Sequence, residues 1–141
     1  MKFMFALISL ATLALPMTAS AEKWLKVMPD DPYGKEGTFH MFDIDSGFED
    51  EATGLVAARL IYKNPETVAK EGVTTWNVWA FDCGTNTFYW VYDVMSGVTK
   101  MKEGWRNNPV SLKEPHMDGV TNVFAKKLCA LKGSWPKGKL P

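Results

Sequence analysis

The stretch TWNVWAFDCGTNTFYWVYDV, residues 75–94, is the most informative part of this sequence. Aromatic and β-branched residues dominate the runs 75–83 and 87–94, and both residue types favour strands. The three residues between the runs, 84–86, include a Gly and an Asn, which are common in hairpin turns. The sequence therefore predicts a β-hairpin here and a sheet built around it.

The hairpin is unusually rich in aromatic side chains. Because side chains alternate between the two faces of a strand, Trp76 and Trp79 fall on opposite faces, so both faces of the sheet receive rings. One face can form the core under a helix. The other must be covered by bent strands and loops, by a partner chain or by a ligand, since a large exposed apolar patch usually marks an interaction site. The candidate partner-binding residues, on a face centred on Trp79 and Tyr89, are Trp76, Trp79, Tyr89, Trp90 and Tyr92.

Further strands are expected on both sides of the hairpin. The run LVAARLIY, residues 55–62, could be a short helix because of its alanines, but its β-branched and aromatic end and the following Asn64-Pro65 favour a strand. Residues 46–54 are acidic and predict a solvated turn, with a weak calcium site as the alternative; Gly47 is misplaced for an EF-hand loop. The other expected elements are strands over 24–28, 38–45 and 96–101 and one helical turn within 66–71.

The C-terminal part predicts an amphipathic helix. Asp118 or Thr121 can cap its start, Gly133 ends it, and the tail over 137–141 is expected to fray. Apolar residues recur at helical spacing and define its buried face: Val120, Val123, Phe124, Leu128 and Leu131.

Cys83 closes the first hairpin strand, and Cys129 lies on the predicted helix. In an oxidising compartment a disulfide between two such cysteines is the default. A catalytic or metal-binding thiol pair is the alternative, but no Cys-x-x-Cys spacing is present, and His40 and His116 have no suggestive neighbours. A bridge would fasten the helix to the hairpin.

Strands followed by a helix predict an α+β fold. We expect one domain over residues 22–141: an antiparallel sheet of about five to six strands with a C-terminal helix packed on one face and one disulfide. No second helix is predicted to cover the other face of the sheet.

Residues 1–21 have the features of a cleaved signal peptide: Lys2, an apolar run of about 13 residues, and the small-residue triplet Ala19-Ser20-Ala21. No cysteine follows the cleavage point to accept a lipid, and no later segment is apolar and long enough for a membrane span. The expected location is therefore periplasmic or secreted, with no stable membrane anchor.

Charge and motifs exclude several classes of function. The chain has 16 basic and 16 acidic residues, which argues against a general nucleic-acid binder. The basic residues are concentrated after residue 93, where 9 face only 3 acidic ones. Such asymmetry is typical of two solvated faces or of a basic contact surface. No nucleophile elbow, phosphate loop or metal-ligand spacing is present, so neither catalytic residues nor a metal or cofactor is predicted.

The layout resembles the bacterial surface-adhesin protein E-like family. The matching features are Trp24 soon after the signal peptide, the segment FDIDS at residues 42–46, the strand end FDC at 81–83, and the second cysteine in FAKKLC at 124–129. The resemblance implies a small secreted domain with an antiparallel sheet of six strands, a packed helix and a helix-to-sheet disulfide. The member that gives the family its name is a lipoprotein adhesin that binds host proteins and can dimerise; this chain lacks the lipidation cysteine.

The sequence therefore leaves two alternative functions. The first is an exported, non-enzymatic binding domain that contacts a protein partner, or a second copy as a homodimer, through an aromatic sheet face. The second is a periplasmic small-ligand-binding protein or hydrolase with a cleft between the sheet and loops, which would bring titratable groups together in a pocket.

Overall fold

The computed structural model of the chain describes residues 23–30, 35, 37–113 and 119–141. The signal peptide predicted over residues 1–21 lies outside the described residues, as do His116 and the candidate cap Asp118. The helices are α1, Pro65–Glu71, and α2, Gly119–Ala130, and a 3₁₀ helix spans Trp105–Asn107. The strands are β1 Trp24–Lys26, β2 Phe39–Asp50, β3 Val56–Lys63, β4 Thr75–Asp82, β5 Thr87–Met95, β6 Val98–Met101, β7 Val110–Ser111 and β8 Lys137–Gly138.

The strands form one sheet, in which β1 to β6 lie side by side in sequence order, each antiparallel to the next. The short strand β7 pairs with β5, and β8 pairs in parallel with β2. The predicted α+β class and the antiparallel sheet are confirmed, but the described residues form eight strands instead of five to six. The excess comes from β7 and β8, two-residue strands with too little sequence to give a pattern.

The predicted hairpin is present as β4 and β5, and residues 56–63 form a strand, β3, as their β-branched end favours. The helical turn expected within 66–71 is α1, which Asn64 caps by accepting hydrogen bonds from the Glu66 and Thr67 N–H groups. Pro65 takes its first position, where a missing N–H costs nothing.

Helix α2 packs on one side of the sheet, which we call the helix face. Its core holds Phe42, Leu60, Phe81, Phe124 and Leu128. Burying each such side chain contributes about 1.5–3 kcal/mol. The disulfide between Cys83 and Cys129 joins the end of β4 to α2, with 5.6 Å between the Cα atoms. The predicted bridge is therefore confirmed.

The helix departs from its prediction at its C-terminal end. At its start only one of the two candidate caps, Thr121, is excluded, because Asp118 lies outside the described residues. The helix begins at Gly119, so that Thr121 is a buried residue inside it and not its cap. It stops at Ala130, before Leu131, whose side chain is exposed instead of completing the apolar face. Trp135 supplies the reason, because its Nε1 donates to the Leu128 carbonyl oxygen at 2.9 Å.

The opposite side of the sheet, the far face, has its own apolar core, as one of the alternatives expected for it, coverage by bent strands and loops, predicts. Ala57, Val78, Ala80 and Val91 lie in it, and Trp105 of the 3₁₀ helix and Leu140 cover it. Loops and the end of the chain thus cover this part of the sheet, where no second helix packs in the described structure.

The C-terminal segment, residues 133–141, is attached to β2. Lys137 Nζ lies 2.8 Å from Glu49 Oε1, and the Leu140 N–H donates to Asp50 Oδ1 at 2.8 Å. Both carboxylates are buried, with 9% and 2% of their surface exposed. The expectations of a solvated acidic turn at 46–54 and of a frayed tail are therefore wrong: strand β2 continues to Asp50, and its acidic residues bind the tail.

Strand β2 makes this connection through a large bulge. Residues 44–47 stand between Asp43, which pairs with Arg59, and Phe48, which pairs with Ala57. The Ser46 hydroxyl holds the bulge: it donates to the Asp43 carbonyl oxygen at 2.7 Å and accepts the Arg59 N–H at 2.9 Å. The Ser46 side chain thus replaces backbone hydrogen bonds that the bulge interrupts between β2 and β3.

Candidate functional site

The five predicted aromatic residues do not share one face of the sheet. Trp79 and Trp90 are cross-strand partners on the helix face, whereas Trp76, Tyr89 and Tyr92 lie on the far face with the second core. Val78 pairs with Tyr92 and Trp79 pairs with Trp90, which leaves Val91 as an extra residue in a bulge. The alternation expected for β4 is confirmed, but Trp79 and Tyr89 point to opposite sides and do not form one centre.

Trp79 belongs largely to the packing of the helix face. Its ring stacks on Phe88 at a centroid distance of 5.1 Å and meets Phe124 at 6.4 Å. Its Nε1 is buried and has no hydrogen-bond acceptor among the described residues. An unpaired buried donor costs stability, so the ring contributes through apolar packing alone.

Trp90 is 42% exposed but held by its neighbours. Its Nε1 donates to Asp93 Oδ1 at 2.6 Å, and Lys102 Nζ lies 3.9 Å from the ring centroid. Burial by itself would raise the pKa of Asp93, but hydrogen bonds from Asn77, Trp90 and Lys102 outweigh it and lower the pKa. The resulting cluster is a rigid, charged patch on the helix face.

The far face contains the most continuous candidate site. Cross-strand pairing places one residue from each of six strands in a single row across the sheet, and directly paired residues share a face. We call it the cross-sheet row: Trp24, Asp43, Arg59, Val78, Tyr92 and Met101. With strands about 4.8 Å apart, the row is about 24 Å long.

Arg59 lies near the middle of the row. Its Nη1 is 3.7 Å from Asp43 Oδ2, and its guanidinium carbon is 5.0 Å from the centroid of the Trp76 ring. About a third of its side chain, 35%, is exposed. Burial raises the pKa of Tyr92, and the positive charge of Arg59, which lines the same cleft, opposes that rise. Arg59 thus presents a positive charge between two aromatic rings.

An open cleft of about 590 Å³ lies over the β3–β6 half of the row. Its charged lining residues, within the part of the chain that is described, are the cations Arg59 and Lys139. Trp76, Tyr92 and Met101 supply apolar surface, and the C-terminal segment forms one wall. This volume is within the range of ordinary ligand sites.

A second cleft, of about 370 Å³, lies over the other half of the row. Trp24 and Met41 line it from the sheet, and Pro65, Val68 and Ala69 line it from α1. The far face is therefore recessed on both sides of the Asp43–Arg59 pair.

Sequence reasoning selected Trp76 and Tyr92 but missed Arg59, Asp43 and Lys139. One signal could have indicated Arg59: it is the single charged residue in the apolar run LVAARLIY. A charge at an inward position of such a strand needs a partner, here Asp43. Tyr89, also predicted, is less accessible, because its ring packs edge-on against Trp105 at 5.8 Å.

Groups typical of catalysis do not assemble at the far face. Within the described ranges, no three His, Cys, Asp or Glu side chains are close enough to hold a metal ion. The His40 ring contacts that of Tyr62 in a tilted arrangement at a centroid distance of 4.6 Å, where β2 begins and β3 ends. What the cleft can do chemically is bind an anionic group next to an apolar one.

Localisation rests on two structural facts. The disulfide is compatible with a periplasmic or extracellular location. Neither of the helices in the described ranges has the length and apolar character needed to cross a membrane.

Comparison of the chain with protein-family models, with curated proteins and with solved structures finds no match.

Proposed function

We propose that this protein is an exported, non-enzymatic binding domain that contacts a protein partner through the far face of its sheet. The observation that supports this most is the cross-sheet row, which combines Trp24, Arg59, Tyr92 and Met101 on one surface. Aromatic residues, Met and Arg are enriched in protein interfaces, and Trp, Tyr and Arg provide most of their binding energy. The predicted signal peptide and the disulfide support export.

Binding is favoured over hydrolysis by the lining of the larger cleft. Among the described residues its side chains include Arg59, Lys139 and two hydroxyl groups, of Tyr92 and Thr99, but no histidine, cysteine or acidic side chain. Hydrolytic mechanisms need a base placed next to a nucleophile or a bound metal. The surface is built for recognition instead.

The proposal extends the resemblance to the adhesin protein E-like family without relying on it. The resemblance implies secreted binding domains, and the far face supplies a surface that can bind. Host adhesion is no part of the proposal, because the chain lacks a lipidation cysteine.

A matched pair of substitutions tests this function. Met101 on the far face and Leu131 beside the helix face are both 42% exposed, so Met101→Asp and Leu131→Asp remove equal apolar exposure and add equal charge. The mature domain and both variants are immobilised, and the proteins retained from a periplasmic or culture-supernatant extract of the source cells are compared quantitatively. We expect Met101→Asp to lose a specific partner that Leu131→Asp retains. Equal retention by both variants would contradict the use of the far face.

A second copy of the chain is the alternative partner. Sedimentation velocity at high protein concentration distinguishes the two cases. A dimer abolished by Met101→Asp alone would identify the partner as a second copy. If the protein is a monomer at every concentration, the partner is a different protein.

A small-ligand-binding function is the second candidate, because the 590 Å³ cleft is large enough for a compact ligand. It predicts that Met101→Asp affects the binding of a low-molecular-weight fraction and leaves protein capture unchanged.

A further inference from the structure

We infer that the partner binds through an acidic, extended segment whose carboxylate meets Arg59 and whose apolar side chains lie between Trp76, Tyr92 and Met101. This inference rests on the proposed function and names the chemistry of the partner.

Charge complementarity is the first argument. The charged residues that line the larger cleft, among those described, are Arg59 and Lys139. Asp43, the nearby acid, is 3% exposed and already paired with Arg59. The charged side chains that a partner meets in this cleft are therefore positive, and the complementary group is an anion.

The type of cation fits a carboxylate. A guanidinium offers five N–H donors in a planar fork that matches a carboxylate, so Arg59 can pair with Asp43 and with a second acid. The ring of Trp76 beneath it, 5.0 Å away, holds the guanidinium plane in place. An acidic side chain of a partner can thus complete a pair that is already oriented.

The apolar surroundings require more than an isolated acid. Trp76, Tyr92, Val94 and Met101 line the same cleft. Their burial contributes to affinity only if the ligand brings apolar groups to the same place. Acidic and apolar side chains must therefore lie close together in the partner.

The length of the site favours a peptide segment over a small molecule. The cross-sheet row extends for about 24 Å, the length of about seven residues of an extended chain at about 3.3 Å each. Asp43 and Val78 within it are buried. The accessible positions of the row are Trp24, Arg59, Tyr92 and Met101. The second cleft, at Trp24 and Met41, provides apolar contacts at its other end. An extended segment lying along the row would contact both clefts.

An anionic membrane is a poorer fit to the same charge. Attraction to acidic lipids usually needs a cluster of about 4–8 basic residues. The larger cleft has two such residues in its described lining.

The test uses the mature domain and a fluorescein-labelled heptapeptide with Phe, Asp, Leu and Glu at positions 1, 3, 5 and 7 and Ser between them, so that acidic and apolar side chains share one face of the extended chain. Its control is the same peptide with Asn and Gln in place of the acids. Fluorescence anisotropy is expected to show binding of the acidic peptide and at least about tenfold weaker binding of the amide peptide, because charge-assisted hydrogen bonds are lost. Equal binding of the two peptides would overturn the inference.

Variants place the binding on the far face. We expect Arg59→Gln to weaken binding about tenfold and Lys139→Gln about twofold. Lys100→Gln removes the same charge from β6, where Lys100 pairs with Asp93 on the helix face, and should have no effect. Because loss of Arg59 leaves buried Asp43 without its ion pair and could impair folding, exposed Lys139 gives an independent test. Equal effects of Lys139→Gln and Lys100→Gln would contradict the site.

Nuclear magnetic resonance supplies the location directly. The indole N–H signal of Trp76 should shift on addition of the acidic peptide, and that of Trp90 should not. A shift of Trp90 alone would move the site to the helix face and overturn the inference.

Two further arms separate the sources of the anion. Hydrocinnamate, a small carboxylate with one ring, should bind much more weakly than the peptide. Vesicles of phosphatidylglycerol should not compete with it. Tight binding of hydrocinnamate would mean that the site binds a small ligand and not a peptide segment. Competition by the vesicles would mean that it binds a membrane surface.

Failure of this inference can be distinguished from failure of the proposed function. If extracts yield a partner that Met101→Asp loses while the acidic peptide does not bind, the far face is the interface but the acidic segment is wrong. If neither result is obtained, both proposals are wrong.

Discussion

The indole ring of Trp135 packs directly over Gly47, so closely that a Cβ atom at position 47 would overlap it. Gly47 lies in the bulge of β2, and Trp135 lies in the C-terminal segment just after α2. The Trp135 Nε1 also donates to the Leu128 carbonyl oxygen. One contact therefore joins the sheet, the end of α2 and the tail, and it is close approach that demands glycine at this position.

Gly47→Ala should destabilise the protein by about 1–3 kcal/mol, because the added methyl group must displace the Trp135 ring from a packed site. Urea unfolding measures the change. Gly119→Ala is the matched control, since a Cβ there meets nothing within 4 Å, and it should leave stability nearly unchanged. Adding Trp135→Ala should remove most of the cost of Gly47→Ala. Additive effects of the two substitutions would mean that the contact is unimportant.

Replacing either cysteine of the bridge, as in Cys83→Ser or Cys129→Ser, should destabilise the domain by about 2–5 kcal/mol, because the unfolded chain regains the freedom of a long loop. The two cysteines are 46 residues apart. Thermal unfolding with and without reductant provides the measurement. Reductant should lower the melting temperature of the natural chain and leave that of the double Ser variant unchanged. A melting temperature that neither change affects would contradict a structural role for the bridge.

Acid should loosen the C-terminal segment. The hydrogen bond and charge of Lys137 lower the pKa of Glu49 below its ordinary value of 4.5. Burial by itself would raise the pKa of Asp50, but hydrogen bonds from Thr53 and Leu140 outweigh it and lower the pKa below 3.8. Since both pKa values are depressed on folding, their stabilisation is complete above about pH 4.5 and is lost as the pH falls through the folded-state values.

Asp50→Asn isolates this effect from that of Asp82 and Asp93, whose pKa values are also lowered. At pH 7 the variant should be less stable than the natural chain by about 1–3 kcal/mol, and the difference should shrink as the pH falls below about 4. Urea unfolding at several pH values measures it. Asp45→Asn, at an exposed carboxylate in the same strand, should show little difference at any pH. A difference that is constant with pH would refute the role of the charge.

Trp79→Ala should cost about 3–5 kcal/mol in unfolding free energy, because the ring packs on Phe88 and Phe124 in the helix-face core. Trp79→Phe should cost much less, since it keeps a ring and removes a buried N–H that has no acceptor among the described residues. Partner binding by Trp79→Phe should be unchanged, because Trp79 lies on the opposite face from Arg59. If Trp79→Phe lost partner binding without losing stability, Trp79 would be part of the binding site.

Local patterns were sufficient for much of the fold. Strand β3 and the β4–β5 hairpin follow from short-range preferences: β-branched and aromatic residues in the strands and a turn-forming connection. The helix α2 follows from the 3.6-residue spacing of Val120, Phe124 and Leu128. Each of these signals acts over a few residues, so it can be recognised in the sequence.

The candidate site was predicted only in part, because the sequence did not reveal that Trp79 and Tyr89 lie on opposite faces of the sheet. Alternation within β4 correctly separates Trp76 from Trp79. The face on which a residue of β5 lies depends on register with β4, and the bulge at Val91 changes that register partway along the strand. The sequence has no local sign of this bulge, so the position of Tyr89 on the opposite face from Trp79 could not be predicted from it.

By itself, the sequence determined most of the longer strands, the C-terminal helix and which two cysteines are joined, because these depend on residue preference, on side-chain periodicity and on there being two thiols. The tertiary structure alone decided that Glu49 and Asp50 hold the end of the chain, that Gly47 makes room for Trp135, and that Arg59 stands beside Trp76 and Tyr92. Each of these contacts joins residues distant in the sequence, and strand register and chain path, which no local preference encodes, bring them together.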